Sequence, residues 1–417
     1  MIRRYLEPMV LDSLKSFPAV LLTGARQVGK STLVEALCRK KWKASYLTLD
    51  DRNLLDMALT DPDGLIASHE GPVAIDEVQK APDLLRAIKL SVDRNRKPGR
   101  FLLTGSANIL TLKSVSETLA GRIALHELNP FSFSEFSRRP IPDVLRRLFH
   151  SKNVQDLGSF FEKRKVPDKS VLLRVLGGGY PEPSLAKKAS IRDKWFKSYR
   201  KTYVERDVQE ITAIERVPDF NRLMTMAAAR TGQVLNLSDL GRDSGLPYMT
   251  LRRYMNILEQ TYQIFLVPPF FTNVSKRLMK APKLYWTDTG FVSHILDIHD
   301  LSHLQRHPHL GAIVETWVAS ELKKLISLES ESMTLYGWRT QAGQEVDFLI
   351  EKGGRFLAIE VKWSRHIEKS TLDSFKALKD SLGDKLAMGI VLHRGEEALS
   401  LGEKLMAVPC GAFFCAS

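Results

Sequence analysis

The chain has 417 residues, of which 44% are hydrophobic, and this is enough for two to four domains with separate cores. The sequence contains neither the long apolar run that a membrane span needs nor an N-terminal apolar stretch typical of a secretory signal. Only three cysteines are present and none form a C-x-x-C pair, which argues against a disulfide framework and predicts a cytoplasmic location. The net charge of +13 favours polyanionic partners, nucleic acid first, although a basic solvated surface would carry the same charge.

Short apolar runs alternate with helical patterns up to about residue 136, and this alternation predicts a parallel sheet with helices on both faces. The predicted strands are Ala19–Thr23, Ser45–Leu49, Val73–Asp76, Phe101–Gly105 and Ile123–Leu128. The fold class is therefore α/β, with a parallel sheet at the N-terminal end.

The composition changes after residue 136, where basic pairs such as Arg138-Arg139 lie in helical patterns. Short strands are predicted near Ile264–Pro268 and Lys283–Trp286, and the last third is mixed. In that last third a helix is expected near Ala312–Ile326, followed by two strands joined by Gly353-Gly354. We predict four domains: a parallel-sheet core at 1–136, a basic lid-like helical region at 137–222, a winged helix at 223–296 and a small α/β domain at 297–417.

A phosphate-binding loop follows the first strand. The segment from residue 24 to 32 matches G-x-x-x-x-G-K-[ST] at every fixed position, with an apolar strand before it and a helical pattern after it. Its glycines let backbone N–H groups surround phosphate oxygens, the lysine reaches the β- and γ-phosphates, and the serine hydroxyl binds Mg²⁺. The predicted ATP-binding residues are Gly24, Ala25, Arg26, Gln27, Val28, Gly29, Lys30, Ser31 and Thr32.

Two acidic residues end the apolar run that begins at Val73, and a buried parallel strand would carry both to the edge of the sheet where ligands bind. Asp76 is predicted to hold Mg²⁺ through its water shell, and Glu77 to orient or deprotonate the attacking water. Either residue alone would also be compatible with a solvated strand end.

A helix-turn-helix pattern lies between residues 237 and 259, with a turn at Gly245-Leu246-Pro247. The second helix has an apolar stripe, and its polar residues Arg252, Arg253 and Asn256 lie off that stripe, where they are available for DNA phosphates. Lys276, Arg277 and Lys280 would lie near the tip of a wing. A packing role for this winged helix is an equal alternative.

A second group of charged residues occurs near the C-terminal end. Glu360 and Lys362 share one face of a strand, and Asp347 lies in the strand before it, so two carboxylates and an ammonium group are expected to converge. This arrangement resembles the PD-(D/E)xK nuclease core, in which carboxylates hold Mg²⁺. Glu315 on the preceding helix is a further candidate ligand, with Glu321 as an alternative. An inert nuclease-like scaffold or a charged hairpin would have the same pattern.

Across most of its length the sequence resembles a group of prokaryotic AAA-superfamily ATPases fused to a C-terminal domain of unknown function. The motifs that carry the resemblance are Gly24–Leu33, Ile75–Gln79, Leu103–Ser106, Leu119–Arg122, Leu128–Ser132, Gly178–Glu182, Tyr203–Asp207, Pro282–Tyr285, Asp288–Gly290 and Glu345–Phe348. In AAA-type ATPases a polar residue in the position of Ser106 senses the γ-phosphate. Arg122 is expected to neutralise transition-state charge, in its own site or in that of a neighbouring copy, or else to be an ordinary surface arginine.

The sequence thus predicts an ATP- and Mg²⁺-dependent ATPase that acts on or with DNA, and that forms a homo-oligomer if Arg122 acts on a neighbouring copy. One alternative is a nucleotide-dependent switch that binds a protein partner. The other is a Mg²⁺-dependent nuclease gated by ATP. No membrane association is expected.

Overall fold

The computed structural model describes residues 2–105, 121–162, 165–203, 216–271 and 280–415. The chain forms two compact units, one comprising Met1–Phe131 and Asn256–Gln263, the other Ser132–Met255 and Ile264–Ser417. None of the helices in the described residues is long and apolar enough to cross a membrane.

A five-stranded sheet in the order β2-β3-β4-β1-β5 forms the centre of the first unit, and all its pairings are parallel. Every residue of the three central strands is buried, while the two outer strands are partly exposed. The strands are β1 (Ala19–Thr23), β2 (Ser45–Thr48), β3 (Val73–Asp76), β4 (Phe101–Thr104) and β5 (Ile123–Glu127). All five agree with the sequence prediction, and the α/β fold class is confirmed.

Alternation along the strands sorts their apolar residues onto the two faces of this sheet. Leu21, Ile75 and Leu103 lie in register on neighbouring strands and share one core with Ile88 of the helix Leu84–Arg94. The helices of the unit are α1 (Glu7–Ser16), α2 (Lys30–Leu37), α3 (Arg52–Thr60), α4 (Pro62–Ala67) and α5 (Leu84–Arg94), with a π-helical segment Cys38–Trp42 and a short 3₁₀ turn Val78–Lys80.

The second unit begins with helices and ends in a mixed sheet. Its helices are α6 (Phe133–Phe136), α7 (Val144–His150), α8 (Gln155–Glu162), α9 (Asp168–Gly177), α10 (Pro181–Leu185), α11 (Ala189–Thr202), α12 (Val217–Ala229), α13 (Leu237–Ser244), α14 (Tyr248–Gln260, which runs into the first unit), α15 (Thr289–Ile295), α16 (Leu301–Arg306), α17 (Leu310–Ile326), α18 (Lys369–Leu382) and α19 (Cys410–Phe414). Between α14 and α15 the strands β6 (Ile264–Val267) and β7 (Lys283–Trp286) pair antiparallel.

Six strands in the order β12-β13-β11-β10-β9-β8 make up the second large sheet. Its strands are β8 (Thr334–Arg339), β9 (Glu345–Lys352), β10 (Arg355–Lys362), β11 (Leu386–His393), β12 (Leu399–Gly402) and β13 (Leu405–Pro409), with a 3₁₀ turn at Gly383–Lys385. The sequence predicted only β9 and β10. They form an antiparallel hairpin around Gly353 and Gly354, whose φ angles are 56° and 77°, a backbone region that favours glycine.

Two glycine-containing motifs of the family resemblance meet in this unit. The carboxylate of Asp288 accepts hydrogen bonds from the backbone N–H groups of Gly179, at 2.6 Å, and Phe291, at 2.9 Å. A Cβ atom at Gly290 would lie 2.5 Å from the carbonyl oxygen of Gly177, so the end of α9 and the start of α15 approach as closely as their backbones allow. These motifs therefore act as a structural joint between α9 and α15.

Candidate nucleotide site and carboxylate cluster

The phosphate-binding loop lies between the buried strand β1 and helix α2. Gly24 has a φ of 136°, and a Cβ atom there would lie 2.3 Å from the carbonyl oxygen of Leu128, so only glycine fits. Gly29, with a φ of 94°, precedes the first residue of α2, which is Lys30. The buried Lys30 ammonium donates to the carbonyl oxygens of Gly24, at 2.9 Å, and Ala25, at 3.0 Å. The lysine is thus held inside the loop that is predicted to surround phosphate.

Arg4 supports this loop from the N-terminal end of the chain, and sequence reasoning missed it. It is buried, its guanidinium donates to the carbonyl oxygen of Val28 at 2.8 Å and to that of Asn129, and it lies over the Phe131 ring. Because these bonds take up a carbonyl of the loop, they help fix which way the loop backbone faces. No spacing rule would have linked position 4 to this loop.

The two predicted acids lie at the carboxyl end of β3. Asp76 is buried and its two oxygens accept hydrogen bonds from different strands: Oδ2 from the Tyr46 hydroxyl at 2.8 Å, and Oδ1 from the Thr104 hydroxyl. Thr104 also accepts a hydrogen bond from the backbone N–H of Glu77 at 3.2 Å. Tyr46 and Thr104 therefore hold the acidic strand end, and neither was predicted as a site residue.

Glu77 has a φ of 59°, which is uncommon for a residue other than glycine and turns the chain sharply after β3. Its carboxylate accepts a hydrogen bond from the side-chain amide of Gln79. Asp76 is thus the last residue of β3, whereas Glu77 lies in the turn that follows, so these two neighbouring acids have different surroundings.

Ser106 and Arg122 are the two remaining residues that were predicted to be catalytic. Ser106 lies outside the described residues. Arg122 precedes β5, and β5 begins level with the first residue of β1, whereas the phosphate-binding loop follows the last one. Roughly 15 Å of strand therefore separates Arg122 from the loop edge of the sheet. Its Nε atom pairs with Asp93 Oδ1 at 2.6 Å. The reading that Arg122 acts in its own site is therefore corrected, because it lies at the opposite edge.

The carboxylates predicted in the second unit do come together, but around a lysine that sequence reasoning missed. The ammonium of Lys283 on β7 lies 3.0 Å from Glu315 Oε1, 2.6 Å from Glu345 Oε1 and 3.3 Å from Asp347 Oδ1. The Tyr285 hydroxyl also donates to Glu315 Oε1, at 2.6 Å. We call these residues (Lys283, Tyr285, Glu315, Glu345 and Asp347) the carboxylate cluster.

The neighbouring acid pair on the β9–β10 hairpin is also internally bonded. Glu360 accepts from the backbone N–H of Asp347 at 3.0 Å and pairs with Lys362 at 2.7 Å. Asp347 Oδ2 accepts from the backbone N–H of Val361 at 2.9 Å. Lys362 and Glu360 therefore form an ion pair on this hairpin.

Burial changes the acidity of these groups. It raises the pKa of Glu315 to about 8, with the charge of Asp347 as the next cause, and it raises the pKa of Glu360 to about 7 in the same way. Burial alone would lower the pKa of Lys283, but the surrounding carboxylates outweigh it and raise that pKa above its ordinary value. The lysine is therefore a fixed positive charge.

In the described part of the chain, no group of three or more His, Cys, Asp or Glu side chains is arranged to hold a metal ion. The physical reason is visible at the predicted ligands, since the oxygens of Asp347 and Glu360 face ammonium and backbone N–H groups. Glu321, the alternative ligand, is elsewhere: it is buried, pairs with Lys324 at 2.8 Å and accepts from the Phe133 N–H at 2.8 Å.

Models of three protein families match the chain. An AAA domain matches residues 16–137, a domain of unknown function (DUF8612) matches residues 169–302, and a second one (DUF4143) matches residues 310–413. Among curated proteins, the uncharacterized proteins Rv2008c of Mycobacterium tuberculosis and Mb2031c of Mycobacterium bovis are each 32% identical over 394 residues, covering 94% of this chain and 80% of the relative. The chain belongs to their family. MJ1544 of Methanocaldococcus jannaschii is 22% identical over 92% of this chain and 84% of its own length.

Two solved structures are similar to parts of the chain. The Walker-type ATPase PABY2304 of Pyrococcus abyssi has 15% identity and a TM-score of 0.41, covering 71% of this chain and 96% of that one. A single-residue variant of RuvB from Thermotoga maritima has 16% identity and a TM-score of 0.30, covering 63% of this chain and 87% of that one.

The AAA domain and the loop geometry together make the first unit an ATP-binding unit of the P-loop ATPase type. The residues present fit the phosphates of a nucleotide, since a buried lysine at the start of a helix lies inside a loop whose first position accepts only glycine. They also fit Mg²⁺ in their chemistry, because the Ser31 hydroxyl in the first turn of α2 and the Asp76 carboxylate at the end of β3 are oxygen ligands of the kind that this ion prefers.

Proposed function

We propose that this protein binds ATP together with Mg²⁺ and hydrolyses it. The observation that carries the proposal is the buried Lys30 ammonium inside the phosphate-binding loop, together with the buried Asp76 carboxylate at the end of β3. Lys30 would bind the β- and γ-phosphates, and Ser31 and Asp76 would hold the magnesium ion. Glu77 would orient or deprotonate the attacking water.

The test separates binding from turnover. We expect Glu77→Gln to keep ATP affinity and to lower the hydrolysis rate about 100-fold or more, because the amide keeps the shape of the side chain and cannot accept the proton. Glu70→Gln, an exposed glutamate of the same unit, is the matched control and should hydrolyse ATP normally. Wild-type turnover in Glu77→Gln would rule out this role for the residue.

We further propose that the ATPase acts on or with DNA through α14. The supporting observation is that Arg252 and Arg253 are exposed, while Leu251 and Tyr254 on the same helix are buried, as predicted. Asn256 is exposed as well. The order of α12, α13, α14 and the β6–β7 hairpin is that of a winged helix, and the region 223–296 is proposed as that domain. Phosphate contacts by two arginines would make binding fall steeply with salt.

DNA binding is tested by titrating a duplex against the protein at several salt concentrations. The double variant Arg252→Ala/Arg253→Ala should bind more weakly and reduce the slope of log affinity against log salt by about 2. Arg146→Ala is the control, since this exposed arginine pairs with Glu329 elsewhere in the unit. Absence of binding at low salt, with and without ATP, would favour the alternative, a nucleotide-dependent switch for a protein partner.

For residues 297–417 we propose an endonuclease-like arrangement, supported by the convergence of Asp347, Glu360 and Lys362 with Glu315 of the preceding helix. We do not extend this to cleavage, because the Lys283 ammonium lies among the carboxylates that a catalytic metal would need. Metal binding there requires Lys283 to leave. Without nucleotide, Mn²⁺ should then raise the melting temperature of wild type but not of Asp347→Asn, and equal melting with and without metal would exclude the site.

The action of Arg122 on a neighbouring copy also stays a prediction.

A further inference from the structure

The exposed face of α14 carries large apolar side chains beside its two arginines. Met249 is 72% exposed and Tyr248 is 52% exposed, and both lie in the first turn of the helix. Residues three and four positions apart are neighbours on a helix surface, so Met249 lies beside Arg252 and Arg253, and Tyr248 lies beside Arg252. Single exposed apolar side chains are common on protein surfaces, but here two of them share one continuous surface with two cations.

The opposite side of the same helix is held in place by its neighbours in the second unit. Leu251 and Tyr254 are buried, and the Tyr254 ring contacts the Phe220 ring of α12 edge-on, with ring centroids 5.3 Å apart. The turn before α14 is held as well, because the Arg222 guanidinium donates to the carbonyl oxygen of Ser244 at 2.9 Å. The exposed side chains are therefore presented to a partner from an anchored helix.

The charge of this face favours a partner that carries negative groups. Residues 248–255 contain two arginines and no acidic residue. An uncharged apolar protein surface would bury the guanidinium groups without hydrogen-bond partners, which is costly, whereas phosphate groups bind a guanidinium through two hydrogen bonds. The partner that fits this face must therefore offer phosphates beside an apolar feature.

The major groove of a DNA duplex offers this combination. It is about 12 Å wide and accepts one α-helix between two rows of phosphates, and the apolar group that it exposes on the bases is the C5-methyl group of thymine. When a helix lies in the groove, its N-terminal residues contact the edges of the bases. In α14 those N-terminal residues are Tyr248 and Met249, and the arginines follow one turn later, where they can contact the backbone.

We propose that Tyr248 and Met249 are specificity-determining residues that contact thymine methyl groups in the major groove of duplex DNA. The inference rests on the proposed action of the protein on DNA through α14, and it adds which base pairs are preferred. Arg252 and Arg253 supply affinity that does not depend on sequence, whereas Tyr248 and Met249 supply a preference for adenine–thymine pairs.

The experiment compares a short alternating adenine–thymine duplex with the same duplex in which uracil replaces thymine. The two duplexes carry the same phosphate charge, so the ratio of their affinities reports the methyl contacts. Burial of one methyl group changes an equilibrium about fourfold, so wild type should bind the thymine duplex about four- to sixteenfold more tightly, for one or two methyl contacts. Tyr248→Ala/Met249→Ala should bind both duplexes equally and keep the salt dependence of wild type.

Two controls separate this effect from a general loss of binding. Arg252→Ala/Arg253→Ala should weaken binding to both duplexes and reduce its salt dependence, but the ratio of the two affinities should stay at the wild-type value. Leu185→Ala removes a leucine of α10 that is 54% exposed in the same unit, and it should change neither the affinities nor their ratio. All of these variants should melt like wild type, because the side chains that they remove are exposed.

Equal affinity of wild type for the thymine and uracil duplexes would overturn the inference, as would an unchanged ratio in Tyr248→Ala/Met249→Ala. Tighter binding to the separated single strands than to the duplex would also overturn it, because it would indicate stacking on unpaired bases. If wild type binds no DNA at low salt, the proposed action on DNA fails as well, which is a distinct result.

Discussion

Replacing Lys283 by methionine is the sharpest perturbation of the carboxylate cluster. The change removes an ammonium that lies within 3.3 Å of Glu315, Glu345 and Asp347, and whose side chain is only 12% exposed. Each such contact at about 3 Å has a gross energy of about 5 kcal/mol at an effective dielectric constant of about 20, most of it offset by desolvation. Breaking buried pairs costs about 3–5 kcal/mol, and we expect a loss of that size in the free energy of unfolding.

The assay is urea unfolding followed by tryptophan fluorescence in EDTA, since Trp286 lies three residues from Lys283 and is fully buried. Lys352→Met is the matched control: its side chain is 13% exposed, but its partner Glu331 is 68% exposed, so the expected loss is below about 1 kcal/mol. The loss in Lys283→Met should be smaller at pH 5 than at pH 8, because Glu315, whose pKa burial raises to about 8, is then protonated and does not repel the neighbouring carboxylates. Equal losses in the two variants would refute the reasoning.

The remaining predictions concern both units. Lys30→Ala should abolish measurable ATP binding in a folded protein. The control Lys15→Ala removes an exposed ion pair with Asp12 and should leave ATP binding intact. Unchanged ATP affinity in Lys30→Ala would contradict the site. Thr104→Val leaves Asp76 Oδ1 and the backbone N–H of Glu77 without the Thr104 hydroxyl as a partner. It should lower the free energy of unfolding by about 1–3 kcal/mol and reduce ATP turnover more than nucleotide affinity. No change in either assay would exclude the role of this hydroxyl. Because the pKa of Glu315 is raised to about 8, the folded state holds that proton more tightly than the unfolded chain. Stability should therefore fall as the pH rises from about 5 to 8, by at most about 1.4 kcal/mol per pH unit, and Glu315→Gln should flatten the curve measured in EDTA. An identical slope in this variant would show that another group titrates.

The N-terminal fold was predictable because its signals are local. A short apolar run that ends in glycine or polar residues predicts a buried strand, and this holds for β1, β3 and β4, whose bounds agree with the prediction to within a residue. The C-terminal sheet was only partly predictable. Four of its six strands were missed, among them the fully buried β11, because an apolar run without a clear alternation can belong to a helix or to a strand.

What the sequence determined by itself is the set of groups whose chemistry depends on close neighbours in the chain. A single turn of the backbone fixes the positions of Gly24, Gly29 and Lys30 relative to one another. The end of one strand does the same for Asp76 and Glu77. Alternation also placed Glu360 and Lys362 on one face, where they form an ion pair.

Only the tertiary structure decided which distant residues complete these sites. Tyr46 and Thr104 reach Asp76 from two other strands, 30 and 28 positions away, and Lys283 meets Asp347 across 64 positions. It also decided against Arg122 acting in its own site, because the parallel register starts β5 at the edge away from the loop. The physical reason is that side-chain periodicity specifies the face on which a residue lies, whereas its partner is set by strand order and register, which arise only when distant segments pack.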